Sequence, residues 1–508
     1  MASKVLSAAV IGLDAELVEV EADLLNQLPA MAIVGLPDKA VEESKERVKS
    51  AIKNSGIDFP RKKVTINLAP ADVKKEGPSY DLPIAVSVLL AMNMVNLPDA
   101  WDRIIFIGEL ALDGLLRPVS GVIAIALAAK AKGITSIYLP KINADEASLI
   151  DGIDIYPVVS LHQLITHFNG TEKIAIHERG DVVSFFTNDE ESEYDIAYVK
   201  GQESVKRCLE IAAAGGHNIL MSGPPGSGKT MLAKAMATIL PDMTLEESLE
   251  VTKIFSIAGE FTRGGFLVTR RPFRSPHHTA SGVSLVGGGS WPKPGEISLA
   301  HRGVLFLDEF PEFPRNVLEN LRQPLEDGIV SISRAQATLQ FPAKFILVAA
   351  MNPCPCGYLN DTARNCVCTP TQIIKYQKKI SGPLLDRIDL HIEVPKVEFD
   401  KLTSEKSGET SREVKFRVQG ARNIQIKRFM GLGIFTNSEM RAQHLKEFCK
   451  VDKDTLDLLK NAVNQMKLSA RSYHRILKIA RTIADLSNEE YIRLEHISEA
   501  IQYRPKME

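Results

Sequence analysis

Across about the first 170 residues, the apolar positions switch between two spacings. Ala30–Val34, Lys63–Leu68 and Ile104–Leu110 are short apolar or alternating runs and predict strands. Lys39–Asn54, Pro83–Met94 and Ile123–Lys132 carry apolar residues at helical spacing and predict helices. Residues 171–195 break the rhythm. His177-Glu178-Arg179-Gly180-Asp181 and the acidic run Asp189-Glu190-Glu191-Ser192-Glu193 leave little to bury. That composition predicts a linker over 173–195, with a charged surface loop as the alternative. From Tyr198 to Pro395, strand and helix patterns alternate again around a Gly/Pro-rich middle. Helical patterns then run to the C-terminus, interrupted by the polar stretch Ser404–Glu413. No internal repeat is visible. The expected organisation is an α+β domain over 1–172, the linker, an α/β domain over 196–395 and a helical domain over 396–508.

The length of 508 residues exceeds what one hydrophobic core can organise, in keeping with several domains. Apolar residues make up 44% and charged residues 24%, an ordinary globular balance. A formal net charge of -2 means that any nucleic-acid binding must come from local basic patches. The apolar run Leu82–Leu97 contains Asn93 and falls short of the ~20 residues a bilayer needs, so a buried helix is expected there. Met1-Ala2-Ser3-Lys4, followed by Asp14, Glu16 and Glu19, makes a poor signal peptide. Six unevenly spaced cysteines do not read as a disulfide framework, and a reducing cytoplasm is expected.

The chemistry is most legible near residue 223. Asn218–Ser222 reads as a strand and Met231–Leu240 as a helix. Between them stands Gly223-Pro224-Pro225-Gly226-Ser227-Gly228-Lys229-Thr230, a G-x-x-x-x-G-K-T string in its required strand–loop–helix setting. Such glycines let backbone N–H groups turn inward around phosphate oxygens, and the helix N-terminus adds its positive dipole end. Lys229 is expected to reach the β and γ phosphates of ATP, and Thr230 to bind Mg²⁺.

Downstream, the apolar run Gly303–Leu307 ends in Asp308-Glu309. A buried strand that delivers two carboxylates to the sheet edge suits Asp308 to the Mg²⁺ shell and Glu309 to polarising the attacking water. The strand Phe345–Ala350 leads to Met351-Asn352. Asn352 could orient that water, or simply initiate a turn before Pro353. In Ser381–Asp389, Arg387 could meet transition-state charge, or equally pair with Asp386 or Asp389.

Cys354, Cys356, Cys366 and Cys368 form C-x-C-x₉-C-x-C. Four thiolates so close suit a tetrahedral Zn²⁺ site, reduced surface thiols or a redox-sensitive pair being the alternatives. Cys208 and Cys449 lie in helical patterns and are expected to pack. His277-His278 lacks a nearby Cys or acid to complete a metal set and is assigned to an insert loop over 261–291, facing a pore or a neighbour. That insert carries Arg263, Arg270, Arg271 and Arg274. A second hairpin, Ile329–Ile332 to Thr338–Phe341, has Arg334 near its turn. Basic hairpin tips suit a phosphate backbone; ordinary solvated loops are the alternative.

Taken together, these residues resemble the magnesium-chelatase-type AAA+ ATPases, and more closely the ComM/YifB group of bacterial cytoplasmic proteins. The most specific strings are Arg271-Pro272-Phe273-Arg274-Ser275-Pro276-His277-His278-Thr279-Ala280-Ser281, Pro294-Gly295-Glu296-Ile297-Ser298-Leu299-Ala300-His301-Arg302-Gly303 and Asn352-Pro353-Cys354-Pro355-Cys356-Gly357. The resemblance covers nearly the whole chain. It implies a hexameric ring, with Asn352 as the sensor-1 residue and Arg387 as the finger acting on a neighbour. It also implies a sensor-2 arginine at Arg471, with Arg475 as the alternative, among Ser469–Arg475. It implies ATP and Mg²⁺ as ligands, and DNA-helicase activity driving branch migration during uptake and recombination of transforming DNA.

The N-terminal segment resembles Lon-type proteolytic domains. Glu76-Gly77-Pro78-Ser79 stands where such proteins carry their nucleophilic Ser, and Ile107–Leu110, Leu116–Val119 and Ser120-Gly121 follow in matching order. The catalytic Lys expected two residues after Gly121 is Ile123 here, and a serine without its base is a weak nucleophile. The implied fold is α/β, a P-loop AAA+ domain with a helical lid preceded by a non-proteolytic α+β Lon-like domain that serves assembly or DNA contact. A motor that remodels a protein partner, as chelatase ATPase subunits do, is the competing function. The Lon-like domain favours the DNA motor, because chelatase ATPase subunits are not expected to carry one.

Overall fold

A computed structural model describes residues 3–98, 100–178, 193–260, 267–289, 293–333, 338–359, 361, 364–397, 408–466 and 468–504. The chain divides into two compact units, residues 1–188 with 248–269, and residues 189–247 with 270–508.

The first unit is built on a seven-stranded mixed sheet. Its spatial order is Ala30–Val34, Lys63–Ala69, Asp14–Leu25, Ser3–Ile11, Ile104–Phe106, Ser136–Pro140, Asp154–Val158. Asp14–Leu25 runs antiparallel to both its neighbours, and the other pairings are parallel. Val18, Val20 and Ala22 alternate inward along that strand and are fully buried, the period-2 pattern of a sheet with one covered face. Helix Lys39–Asn54 turns Val41, Val48, Ala51 and Ile52 to the core, and the Asp38 carboxylate caps it by accepting from the Val41 N–H at 2.8 Å. Helix Asp81–Ala91 is buried from Asp81 to Leu89, as the apolar run predicts.

Two expectations are corrected in this unit. The run Ile104–Leu110 is not one strand. Ile104–Phe106 joins the main sheet, whereas Glu109–Leu110 pairs with Leu116–Arg117. Gly108 breaks it, because its N–H donates to the Ser79 carbonyl and its own carbonyl accepts from the Leu82 N–H, both at 3.0 Å, so neither is left for the ladder. The predicted linker also begins too early. Ile174 is buried, with its N–H donating to His167 Nδ1 at 2.8 Å, and His177 pairs with Asp145 at 2.8 Å. The rest of that stretch, 179–192, lies outside the described residues.

Residues 248–269, read from sequence as part of the second α/β domain, belong to the first unit. They include most of helix Leu245–Ala258, whose Leu249 and Ile257 pack on the core around Ile105, Val122 and Ile137. Ser256 donates to the buried Glu146 carboxylate at 2.6 Å and accepts from the Gly121 N–H at 2.9 Å, and Lys253 pairs with Asp14 at 2.9 Å. These are contacts between positions over a hundred residues apart, which no local pattern announces.

The second unit holds a five-stranded, all-parallel sheet. Its order is Phe273–Arg274, Val304–Leu307, Ile346–Met351, Ile219–Ser222, Leu390–Glu393. Its inner strands Val304–Leu307 and Ile346–Met351 are apolar along their whole length, as a sheet covered on both faces requires. Helices Glu203–Gly215 and Lys229–Thr238 cover it, and the helical C-terminal region packs on the same core through Val414, Val418, Ile476 and Ile479. Helix Ser411–Arg428 starts with a capping box in which Thr410 and Glu413 satisfy each other's backbone N–H groups. Ile329–Ser333 and Thr338–Pro342 form the predicted hairpin, but Arg334 lies outside the described residues, as does Arg263. Among the described residues, no helix is long and apolar enough to cross a membrane.

Candidate active site

Three neighbouring strands of the second unit deliver their next residues to one sheet edge. Ser222 pairs with Met351, and Leu307 with Ala349, so Gly223, Asp308 and Asn352 all emerge at the C-terminal edge. This is where open parallel sheets bind ligands. The Gly223 N–H donates to the Met351 carbonyl at 3.2 Å and fastens the loop to the central strand. A Cβ at Gly223 would lie 2.3 Å from the Val394 carbonyl oxygen, so only glycine fits there. Gly226 and Gly228 take left-handed φ values of 75° and 86°, the turns that aim successive N–H groups inward. Lys229 opens helix Lys229–Thr238 immediately afterwards.

The Lys229 ammonium donates to the Gly223 and Pro224 carbonyls at 2.8 and 3.0 Å, and to Asn352 Oδ1 at 3.3 Å. Burial lowers its pKa, against the opposing pull of Asp308. Lys229 and Asn352, 123 residues apart in sequence, thus meet in one site. Thr230 Oγ1 donates to Asp308 Oδ2 at 2.8 Å. A hydroxyl and a carboxylate so placed fit a hard, oxygen-preferring cation such as Mg²⁺. Glu309 has φ 50° and ψ 44°, so the backbone turns sharply after Asp308 and the Glu309 side chain remains accessible.

Sequence reasoning missed the neighbour of Glu309. His278 Nδ1 lies 3.3 Å from Glu309 Oε2, and its ring stands 4.1 Å from that of His277. Nothing in the local sequence signals a pair formed between two loops. The arginines of the same insert also differ from expectation. Arg271 turns inward, where it pairs with buried Glu247 at 2.7 Å and donates to the Pro241 and Arg302 carbonyls at 2.6 and 2.7 Å. Arg274 forms a two-pronged pair with Glu296 at 2.6 and 2.7 Å. Neither is a solvated basic tip.

Arg387 stands at the other end of the sheet. Asn218 precedes the strand that leads to the phosphate loop. Its carbonyl accepts from the Asp389 N–H at 3.1 Å, and its side chain donates to the Arg387 carbonyl at 3.3 Å. A four-residue strand, about 13 Å long, separates this edge from the loop. Arg387 is 9% exposed. It donates to the Pro383 carbonyl at 2.7 Å and pairs with Glu326, rather than with Asp386 or Asp389. Its hydrogen bond holds the Glu326 carboxyl below its ordinary range.

Arg471 reaches the same Glu326 at 3.3 Å, whereas Arg475 pairs with Asp389 at 3.1 Å. Both expected sensor-2 candidates therefore sit at the edge away from their own chain's phosphate loop. Arg271, Arg302, Arg387, Arg422 and Arg471 line a cleft of about 730 Å³ there.

The four cysteines converge. Cys354 Sγ lies 3.4 Å from Cys356 Sγ and 3.7 Å from Cys366 Sγ, which are 3.6 Å from each other, and the Cys356 N–H donates to Cys368 Sγ at 3.4 Å. All four sulfurs lie within 4.8 Å of one another. Hydrogen bonds from the Tyr358 and Val367 backbones bring the Cys356 thiol down to about 6, favouring a thiolate. Cys208 and Cys449 are buried, as expected of packing residues. In the first unit, Ile123 is fully buried in helix Val122–Ala131 and its N–H faces Glu146 at 3.4 Å; this position supplies no amine to Ser79.

Residues 195–402 match the family described as magnesium chelatase, subunit ChlI; residues 20–143 match subunit ChlI of Mg-chelatase; residues 408–504 match the C-terminal region of subunit ChlI. The chain is 44% identical to the competence protein ComM of Haemophilus influenzae, over 98% of this chain and 97% of that one. It is 43% identical to the protein YifB of Escherichia coli, over 98% and 96% of the two chains. A 168-residue stretch is 23% identical to a Lon protease of Mycolicibacterium smegmatis, 31% of this chain and 21% of that protease.

Proposed function

Because the chain belongs to the ComM/YifB family of magnesium-chelatase-like AAA+ ATPases, we propose that it is a hexameric ring motor that hydrolyses ATP between subunits and acts on single-stranded or branched DNA. The reading is of a helicase or branch-migration translocase in homologous recombination or natural transformation. The observation that carries the shared active site is the placement of its parts. Lys229, Thr230, Asp308, Glu309 and Asn352 gather at one sheet edge, and Arg387 stands at the other.

In this mechanism the phosphate loop from Gly223 to Thr230 cradles the nucleotide, and Lys229 exchanges its carbonyl partners for phosphate oxygens. Thr230 and Asp308 would hold Mg²⁺, whose chemistry is to neutralise charge on the phosphates. Glu309 accepts the proton of the attacking water, and Asn352 orients that water. Arg387 reaches a neighbour's nucleotide across the subunit interface, with Arg471 beside it and Arg475 as the alternative sensor. The cleft around them has more basic than acidic side chains in its lining, a balance that suits an approaching polyphosphate. The four cysteines, as thiolates, would hold a structural zinc ion. The Lon-like domain is non-proteolytic, because Ser79 lacks a lysine at position 123, and it serves assembly or DNA contact. The motor works in the cytoplasm.

DNA as the substrate draws support from a relative of matching length named for competence. Matches to chelatase subunits across three segments favour a second reading, a motor that remodels a protein partner. ATPase rates measured with and without single-stranded, duplex and forked DNA separate the two. Stimulation by DNA supports the first, and indifference to every DNA form moves the assignment to the second.

A further inference from the structure

The sulfur geometry and the packing of one glycine carry a consequence for the nucleotide site. In a tetrahedral zinc tetrathiolate with bonds of about 2.3 Å, sulfurs lie about 3.8 Å apart. The three separations among Cys354, Cys356 and Cys366 are 3.4, 3.6 and 3.7 Å. A disulfide would need about 2.05 Å, so these are thiols or metal ligands rather than bridges. The N–H of Cys356 points at the sulfur of Cys368, a contact that stabilises a ligating thiolate. A metal here would close the Cys354–Cys368 segment on itself and fix both its ends.

That segment touches the phosphate loop. Gly357 follows ligand Cys356 directly, has φ 83°, and its N–H donates to the Cys354 carbonyl at 3.0 Å. A Cβ built on Gly357 would lie 2.5 and 2.7 Å from Cδ and Cγ of Pro225, and 3.7 Å from Cγ of Asn352. The Cβ position of Gly357 is therefore filled by Pro225 of the phosphate loop, with Asn352 close by. Asn352 in turn accepts from Lys229. The phosphate loop and Asn352 thus border the same glycine, one peptide away from Cys356.

We propose that the four-cysteine cluster is a zinc clamp on the phosphate loop: the metal holds Gly357 against Pro225, and its loss weakens nucleotide binding. The proposal rests on the zinc assignment above and adds its role. The physical basis is preorganisation. Without the metal cross-link, the segment regains conformational freedom that nucleotide binding must then remove.

The test uses the purified full-length chain, prepared without chelator. Metal content is measured by mass spectrometry, and nucleotide affinity by titration with a fluorescent ADP analogue. One zinc per chain is expected in the unaltered protein, with cobalt giving the visible bands of a tetrahedral thiolate site. Displacing the metal with a mercurial, followed by thiol and a metal-free buffer, should weaken ADP binding by about tenfold, and zinc re-addition should restore it. Cys366→Ser with Cys368→Ser should behave like the stripped protein.

Gly357→Ala keeps all four ligands, so it guards against a mere folding defect. It should retain zinc and the cobalt bands yet lose affinity. Absence of zinc and of a cobalt thiolate spectrum overturns the zinc assignment and the clamp together. Zinc present and removable, with ADP affinity unchanged in the stripped protein and in Gly357→Ala, overturns the clamp alone.

Discussion

The hydroxyl of Thr230 lies 2.8 Å from the carboxylate of Asp308, joining the start of the phosphate-loop helix to the end of a strand that is not its sheet neighbour. The strand Ile346–Met351 runs between the two and leads into Asn352, so three separate stretches of chain close on one small volume. Glu309 stands beside that volume, accessible to water and touched by His278.

This arrangement separates binding from hydrolysis. Glu309→Gln should bind ATP as the unaltered protein does and hydrolyse it about 10² times more slowly or worse, the scale of losing a positioned base. Lys229→Ala should lose binding as well, since its ammonium sits within the phosphate loop, donating to the Gly223 and Pro224 carbonyls. Equilibrium nucleotide binding and steady-state phosphate release measure the two effects. Wild-type turnover by Glu309→Gln would remove Glu309 from the mechanism.

Much of this site was legible because its signals are local. A strand, a glycine loop and a helix within twenty-odd residues announce a phosphate site, and an apolar strand ending in two acids announces its partner. The cysteines also lie close enough in sequence to suggest their meeting. Positions fixed by distant partners were not legible. Arg271 sits in a loop rich in arginine and glycine and reads as a basic tip, yet buried Glu247 draws it inward. His278 shows its role only once Glu309 is placed beside it. Gly108 interrupts an apolar run because Ser79 and Leu82 claim its backbone. Residues 248–269 leave their sequence neighbours because Leu249 and Ile257 find an apolar surface elsewhere.

The inward turn of Arg271 is testable as stability. Its side chain and that of Glu247 are 8% and 4% exposed, so Arg271→Ala would strand a buried carboxylate. A loss of about 3–5 kcal/mol is expected for breaking such a pair. Chemical denaturation of the full chain should show a lower midpoint. A variant of unchanged stability but weaker DNA binding would return Arg271 to the role of a DNA contact.

Glu146 predicts a pH effect in the first unit. Burial raises its pKa above the ordinary 4.5, outweighing its hydrogen bonds with Ser256, Asn143 and the Ile123 N–H. The folded state therefore holds this proton more tightly than the unfolded chain. The associated stability is fully present below the ordinary value and is lost as pH rises through the folded one. Glu146→Gln should flatten that part of the pH–stability profile and raise the melting temperature of the first unit at neutral pH, by a few degrees if about 1 kcal/mol is recovered. Thermal melts across pH 4 to 8 provide the measurement. An unchanged profile in Glu146→Gln would show that this carboxyl does not carry the effect.

The ring itself is tested by Arg387. It lies at the sheet edge opposite its own phosphate loop, with Glu326 as its partner, so the proposed catalytic role would be played in another chain. An isolated subunit should then be nearly inert. Arg387→Ala should bind ATP and hydrolyse it about 10³ times more slowly, since arginines supplied in trans contribute on that scale. Mixing Arg387→Ala with Lys229→Ala should restore part of the activity, because one class of interface in the mixed ring retains both Lys229 and Arg387. If DNA is the substrate, the recovered activity should rise with added DNA and fall steeply with salt, as contacts to phosphates require. Failure of the mixture to recover any activity would mean that each site is complete within one chain. Recovery without response to any DNA would keep the ring and assign it to a protein partner.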